Sequence, residues 1–169
     1  MKKVFIFLLS LFVISTVSAQ KLVTNEIDKF TKKETKLTSE ESLYSVNFMA
    51  SGFVYKFDFR IQKVDKKYAI LAHILMDDIV KYDEDSGVTF LLDNDETLFL
   101  RTAYTGVGGD AFAQGYYFKT AFDLSDENVE KLKNHKITDV RVTYMDGYYD
   151  RELKSKKQGL IMKMLKLFE

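Results

Sequence analysis

A strict alternation of apolar and polar side chains from Phe53 to Gln62 constrains the fold of this chain more than any other feature. Five apolar residues fall on one side of an extended backbone, namely Phe53, Tyr55, Phe57, Phe59 and Ile61. Polar residues fill the other side, namely Lys56, Asp58, Arg60 and Gln62. Successive side chains of a β-strand point to opposite faces. The pattern therefore predicts a strand with one buried and one solvent-exposed face. Phe57 should be a central core residue, and Asp58 should face solvent.

Neighbouring segments extend this strand into an antiparallel sheet. Tyr68 to Met76 is apolar apart from His73 and follows a short polar turn, which predicts a central strand paired with the first as a hairpin. Residues 88–92 and 97–102 flank the polar turn 93–96 and predict a second hairpin. Further strands are predicted at residues 28–37, 115–124 and 137–144.

Two helices are predicted near the end of the chain. Ser125 is a typical N-cap, and the acidic Asp126 and Glu127 suit the positive end of a helix that runs to about Lys133. From Leu153 onward, apolar residues recur at helical spacing among lysines, which predicts a basic amphipathic helix. Such a helix can lie on a membrane surface or bind a partner, and the favoured interpretation is a terminal helix that covers one face of the sheet.

The fold class follows from these elements. They predict a mainly β domain, either an antiparallel β-sandwich or a strongly curved sheet of about seven strands, with one short helix and a C-terminal helix. The alternative is an α+β arrangement, in which the helices cover one face of an antiparallel sheet.

Composition restricts the possible partners and the means of stabilisation. The chain has 25 basic and 25 acidic residues, and this balance argues against nucleic acid as a partner. Cysteine is absent, so the core has to hold the fold without disulfides. The 14 Phe and 10 Tyr supply the apolar area for that core.

The N-terminal residues 1–19 have the pattern of a secretory signal peptide. Lys2 and Lys3 precede an apolar run, and Ser18 and Ala19 provide a small-residue cleavage site. We therefore expect a periplasmic or secreted protein that begins at Gln20. Residues 20–169 are expected to form a single domain without a transmembrane segment.

Several pieces of the chain resemble a group of bacterial proteins. They are the leader ending in AQ, the segment DKFTKK, the hairpin LLDNDETLFL and the stretch FDLSDENVEKLKNHKITDVRV. Together with the alternating aromatic strands, they resemble small exported proteins of uncharacterised function that are common in Bacteroidetes. The resemblance implies a bacterial envelope setting and no known activity.

Residues that commonly carry metal or acid–base chemistry are few and scattered. His73 and His135 each lack a second histidine at helical spacing, so we predict no zinc site. The acidic stretch from Asp77 to Asp85 lacks the glycine and glutamate positions of a helical calcium loop, which favours a solvated loop. We predict no cofactor and no catalytic residues.

The candidate ligand contacts are aromatic residues on loops. Phe112 lies in the glycine-rich segment 106–115, which we interpret as a flexible connection between strands. Tyr148 and Tyr149 follow Gly147, and a tyrosine ring can stack on a sugar or a peptide. The predicted function is a non-enzymatic envelope binding module for a peptide, glycan or protein partner. The alternatives are a hydrolase built on the carboxylates of residues 77–85 and an envelope structural or stress protein without a small ligand.

The export hypothesis predicts the mass of the mature protein. Cleavage after Ala19 should leave Gln20 at the N-terminus, because Ser18 and Ala19 are the small residues that follow the apolar run. Intact-mass measurement of the protein from its native envelope tests this expectation. A mass that includes residues 1–19 would contradict it.

Overall fold

The computed structural model describes residues 20–48, 53–76, 79–103, 106–108, 110–112 and 115–169. Thirteen strands occur in these ranges, namely β1 (Leu22–Ile27), β2 (Glu34–Thr38), β3 (Glu41–Phe48), β4 (Phe53–Val64), β5 (Lys67–Met76), β6 (Val80–Tyr82), β7 (Gly87–Leu92), β8 (Thr97–Arg101), β9 (Gly106–Gly108), β10 (Asp110–Phe112), β11 (Gly115–Leu124), β12 (Ile137–Tyr144) and β13 (Gly147–Glu152). The helices are α1 (Asp126–Asn134), α2 (Ser155–Gln158) and α3 (Leu160–Leu165), followed by a 3₁₀ turn (Lys166–Phe168).

The predicted mainly β fold is confirmed, with more strands than the seven or so expected. In these ranges no helix is long and apolar enough to cross a membrane.

Two antiparallel sheets and a two-stranded ribbon make up the β structure. The long sheet has the order β1-β2-β4-β5-β11-β10, and β3 also pairs with β4. The short sheet has the order β13-β12-β7-β8, and the ribbon joins β6 to β9. Buried side chains of both sheets belong to one core, as expected for a sandwich.

The β4–β5 hairpin supplies the centre of the core. Phe57, Phe59 and Ile61 are at most 1 % exposed, which confirms the buried face predicted from the alternation. Ile70 and Ile74 of β5 lie beside this row and are equally buried. The short sheet contributes a second buried row from β7 and β12, namely Val88, Phe90, Leu92, Val140 and Val142.

The opposite face of β4 is less exposed to solvent than the alternation predicts. Asp58 is only 6 % exposed, and its carboxylate lies 2.5 Å from Lys56 Nζ. The prediction that Asp58 faces solvent is therefore wrong, although it does lie on the face opposite Phe57. A neighbouring lysine supplies the charge that a buried carboxylate requires.

Both predicted helices form, and the second one is broken. The Ser125 side chain accepts a hydrogen bond from the Asn128 amide, which confirms the N-cap of α1. The C-terminal segment divides at Gly159 into α2 and α3. Its apolar residues are buried in the core, namely Leu153, Leu160, Ile161, Met164, Leu165 and Phe168. The segment is thus a cover for the sheets, the interpretation that the sequence favours.

Several segments differ from the sequence expectations, among them four that bear on the site or on the predicted strands. Residues 28–33 form a turn instead of part of a strand, because the Asp28 side chain accepts hydrogen bonds from the Phe30 and Thr31 amides. Strands β3 and β13 occupy segments that were not predicted as strands. The segment 106–115 is not a simple connection, since it contributes β9, β10 and the start of β11.

The two long sides of the sandwich differ. At the β8–β11 side, the Ala103 amide donates to the Ala121 carbonyl, and the hydroxyls of Thr102 and Thr120 lie 2.6 Å apart. These bonds join the two sheets. At the other side, β3 and β13 each pair with one strand only among the described residues. The sandwich is therefore closed along one side and has two sheet edges along the other.

Phe57→Ala should lower the free energy of unfolding by about 3–5 kcal/mol, because the fully buried ring leaves a cavity. Lys66→Ala, at an exposed turn position beside β4, is the control and should change it by less than about 0.5 kcal/mol. Denaturant midpoints of the two variants measure the difference. Equal midpoints would contradict the inward assignment of Phe57.

Candidate functional site

The two tyrosines predicted to contact a ligand point to opposite faces of β13. Tyr148 is 59 % exposed on the outer face of the short sheet, where the Arg141 guanidinium lies 4.1 Å from its ring centre. Tyr149 is half-buried between the sheets and stacks on Tyr55 of β4, with ring centres 4.4 Å apart. Because the rings lie on opposite faces, they belong to two different surfaces.

The third predicted contact, Phe112, lies in β10, and its backbone pairs with Gly115. Its side chain lies outside the described part of the structure. The preceding strand β9 pairs with β6, and the Lys81 carbonyl of β6 accepts a hydrogen bond from the Met145 amide. The glycine-rich segment and the β12–β13 turn therefore meet at β6, at one end of the sandwich. A ligand role for Phe112, Tyr148 and Tyr149 stays a prediction.

A groove of about 290 Å³ follows the side of the sandwich where both sheets have their edges. We call it the edge groove. Its lining consists of β3 residues Ser42, Leu43, Tyr44, Ser45 and Val46, together with Arg151, Glu152, Lys154, Lys156 and Lys157. Five consecutive residues of one strand thus form one wall, and the end of β13 with the start of α2 forms the other.

Backbone groups of β3 face the open side of this groove. The Ile61 amide donates to Thr38 Oγ1 over 2.9 Å, so the backbone groups of Ile61 face the β2 and β3 side of β4. Backbone N–H and C=O groups of successive residues point to alternate edges of a strand. Phe57 is four residues before Ile61, so its backbone groups point to the same edge and face β3. Its partner Tyr44 directs its backbone groups to β4. The N–H and C=O of Ser45, one residue on, consequently point away from β4.

Positive charge dominates the groove. Arg151 and three lysines line it, and Glu152 is the one acidic residue in its lining. The Arg151 guanidinium donates to the Tyr149 hydroxyl, but its Nε is buried and has no hydrogen-bond partner among the described residues. No described carboxylate forms an ion pair with Arg151. A buried cationic donor without a partner is costly, and such groups commonly mark functional sites.

Three tyrosines connect the groove to the core. Tyr44 and Tyr149 have ring centres 6.2 Å apart, and Tyr149 stacks on Tyr55. Burial, with a smaller effect of the neighbouring Tyr149, raises the pKa of Tyr44 far above its ordinary value. Tyr44 is therefore a neutral, buried ring behind the groove wall, next to Tyr149.

The outer face of the short sheet carries a second, shallower surface. A cavity of about 370 Å³ lies on it, next to the pair in which Arg141 donates two hydrogen bonds of 2.6 Å to the Asp150 carboxylate. Phe99 is 45 % exposed on the same face. Its ring lies over Gly87, where an added Cβ would be 2.8 Å from the ring and 2.3 Å from the Leu100 carbonyl oxygen.

The acidic and histidine residues have local structural contacts. The Asp83 carboxylate accepts hydrogen bonds from the Ser86 hydroxyl and the Asp85 amide, and so it shapes the turn before β7. Asp77 and Asp78 lie outside the described residues. Within the described ranges, no three His, Asp or Glu side chains converge as a metal site would require.

Each histidine lies beside a single carboxylate. His135 Nδ1 is 3.0 Å from Asp93 Oδ1, where it joins the end of α1 to the β7–β8 turn. His73 lies on the outer face of the long sheet, with its Nδ1 3.6 Å from Glu40 Oε2.

The sequence analysis did not predict the residues of the edge groove, because the strand signals around them are weak. Tyr44 and Val46 alternate with polar residues in SLYSVN, a weak strand signal that was available. Tyr149 and Arg151 alternate with Tyr148 and Asp150 in the same way. Had the segment after Gly147 been assigned as a strand, the two tyrosines would have been placed on separate faces.

Comparisons with protein-family models, with curated proteins and with solved structures gave no match for this chain.

Tyr44→Phe should reduce the loss of stability at alkaline pH. The folded-state pKa of Tyr44 is raised, so its contribution is fully present below the unfolded pKa of about 10 and declines as the pH rises above it. Denaturant midpoints on either side of that pH, for the parent and the variant, measure the effect. An equal alkaline loss in both proteins would contradict the assigned burial of the Tyr44 hydroxyl.

Proposed function

We propose that this protein is an exported, non-enzymatic binding module of the bacterial envelope, and that it binds an extended peptide segment of a partner protein in the edge groove. The single observation that carries the proposal is the groove itself, where the open edge of β3 and the end of β13 face a common space. The signal-peptide pattern and the resemblance to exported Bacteroidetes proteins support the envelope setting.

Strand addition is the binding mode that suits this groove. A peptide in extended conformation can donate to and accept from the unpaired backbone groups of an edge strand, and its alternate side chains enter pockets on either side. The backbone groups of Ser45 provide such a pair. Val46, which lines the groove and is half-buried, offers apolar surface for one side chain of the peptide.

The β3 edge also has a feature that limits strand addition. The register of β3 against β4 shifts between Ser42 and Tyr44, which indicates a bulge at Leu43. A bulge twists an edge strand and interrupts its regular pairing. The segment after the bulge, around Ser45, is therefore the part of β3 that we assign to the ligand.

A glycan is the second candidate ligand, and a different observation favours it. Tyr148 and Phe99 expose aromatic rings on the outer face of the short sheet, which also carries the Arg141–Asp150 pair. Aromatic faces stack on sugar rings, and paired polar groups can hydrogen-bond their hydroxyls. An envelope structural role without a small ligand is the interpretation that would stand if neither ligand binds.

Ser45→Pro should weaken peptide binding at least about tenfold, because it removes the N–H on the open edge. The matched control is Asn25→Pro in β1, an edge strand that pairs with β2 and does not line the groove, where proline should leave binding unchanged. Parent and variants are screened on an array of short extended peptides, and the best binders are titrated in solution.

A second variant separates the loss of binding from misfolding. Ser45→Trp keeps the backbone donor and fills the groove, because Ser45 is exposed and lines it. Circular dichroism checks that each variant is folded. Unchanged affinity in both Ser45 variants would overturn the proposal, as would peptidoglycan fragments binding where no peptide does.

A further inference from the structure

We infer that the edge groove selects peptides with acidic side chains, and that Arg151 is the residue that anchors a carboxylate of the ligand. This inference rests on the proposed function. It adds the chemical class of the ligand and the residue that recognises it.

The first argument is the unfilled hydrogen-bonding capacity of Arg151. A guanidinium has five N–H donors in a planar fork, and the fork matches a carboxylate in a bidentate arrangement. Among the described contacts, only the Tyr149 hydroxyl accepts a hydrogen bond from Arg151, and the buried Nε has no acceptor. Because Nε is buried, a carboxylate in the groove would bind through the terminal Nη groups of this guanidinium, which lines the groove.

Arg141 provides the internal comparison. It lies on the same sheet, and its guanidinium forms the bidentate arrangement with Asp150, with both N···O distances at 2.6 Å. Arg141 is exposed and paired, whereas Arg151 is half-buried and has no described carboxylate. The two arginines therefore differ in the feature that defines a ligand anchor.

The second argument is the charge around the anchor. Lys154, Lys156 and Lys157 line the groove with Arg151, and Glu152 is the one acidic residue that opposes them. The resulting positive potential attracts anionic segments and disfavours cationic ones. A peptide that alternates acidic and apolar residues would place its carboxylates toward this wall and its apolar side chains toward Val46.

The third argument concerns the neutral partners of the guanidinium. The Tyr149 ring lies under Arg151, with Cζ 5.1 Å from the ring centre, and its hydroxyl accepts from the same guanidinium. Tyr149 is held in turn by its stack on Tyr55. These contacts fix the position of the fork without neutralising its charge, which leaves the charge available to a ligand.

The test uses two peptides that differ in charge alone, one of alternating valine and glutamate and one of alternating valine and glutamine. The parent protein should bind the glutamate peptide about tenfold or more tightly than the glutamine peptide. Arg151→Met should remove this preference, and Arg151→Lys should restore only part of it, because an ammonium lacks the fork. Arg101→Met, at an exposed arginine of β8 outside both cavities, is the matched control and should keep the preference of the parent.

The outcomes separate this inference from the proposed function. Equal binding of both peptides, or an unchanged preference in a folded Arg151→Met, would overturn the acidic selectivity and leave peptide binding in place. Binding of neither peptide would overturn the proposed function together with the inference. Inorganic phosphate is titrated in parallel, and affinity equal to that of the glutamate peptide would overturn the assignment of a peptide carboxylate as the ligand group.

Discussion

Burial of the inward face of the β4–β5 hairpin is the interaction on which the rest of this structure depends. Phe57, Phe59 and Ile61 lie at most 1 % exposed in the middle of the long sheet, and they belong to the same core cluster as the buried residues of the short sheet and of the helices. The short sheet covers it from the opposite side, and α3 and the 3₁₀ turn close one end, where Phe168 meets Tyr68 edge-on. A chain without cysteine or a described metal site relies on this apolar contact for its stability.

The parts of the fold that the sequence predicts well are those determined by local pattern. The β4–β5 hairpin has strict alternation, and α1 has a complete N-terminal signal in Ser125, Asp126 and Glu127. Strands β3 and β13 were missed because their alternation is short and mixed with polar residues. These segments form strands because they pair with β4 and β12, and such long-range pairing cannot be predicted from local sequence patterns. Asp58 was assigned to solvent for the same reason. Alternation predicts the face of the strand on which a side chain lies, but it does not predict which other side chains cover that face.

The candidate site illustrates a similar limit. An exposed tyrosine such as Tyr148 can be proposed from composition and a nearby turn, because its chemistry is evident in the residue itself. Arg151 has no distinguishing feature in sequence, since one basic residue among many carries no signal. Its proposed role depends on the lack of an acceptor for its Nε among the described residues, and this lack becomes visible only in the three-dimensional arrangement. Functional residues defined by unmet hydrogen bonds are thus the hardest to predict from one sequence.

The lysines beside the open edges also affect how copies of this protein meet one another. An unpaired strand edge is a template on which a second copy could add a strand and begin an aggregate. Two such edges brought together would oppose Lys154, Lys156 and Lys157 with the same residues of the other copy, and like charges disfavour that approach. The bulge at Leu43 further shortens the straight part of the β3 template. The same charges that attract an acidic segment therefore disfavour edge-to-edge association of two copies.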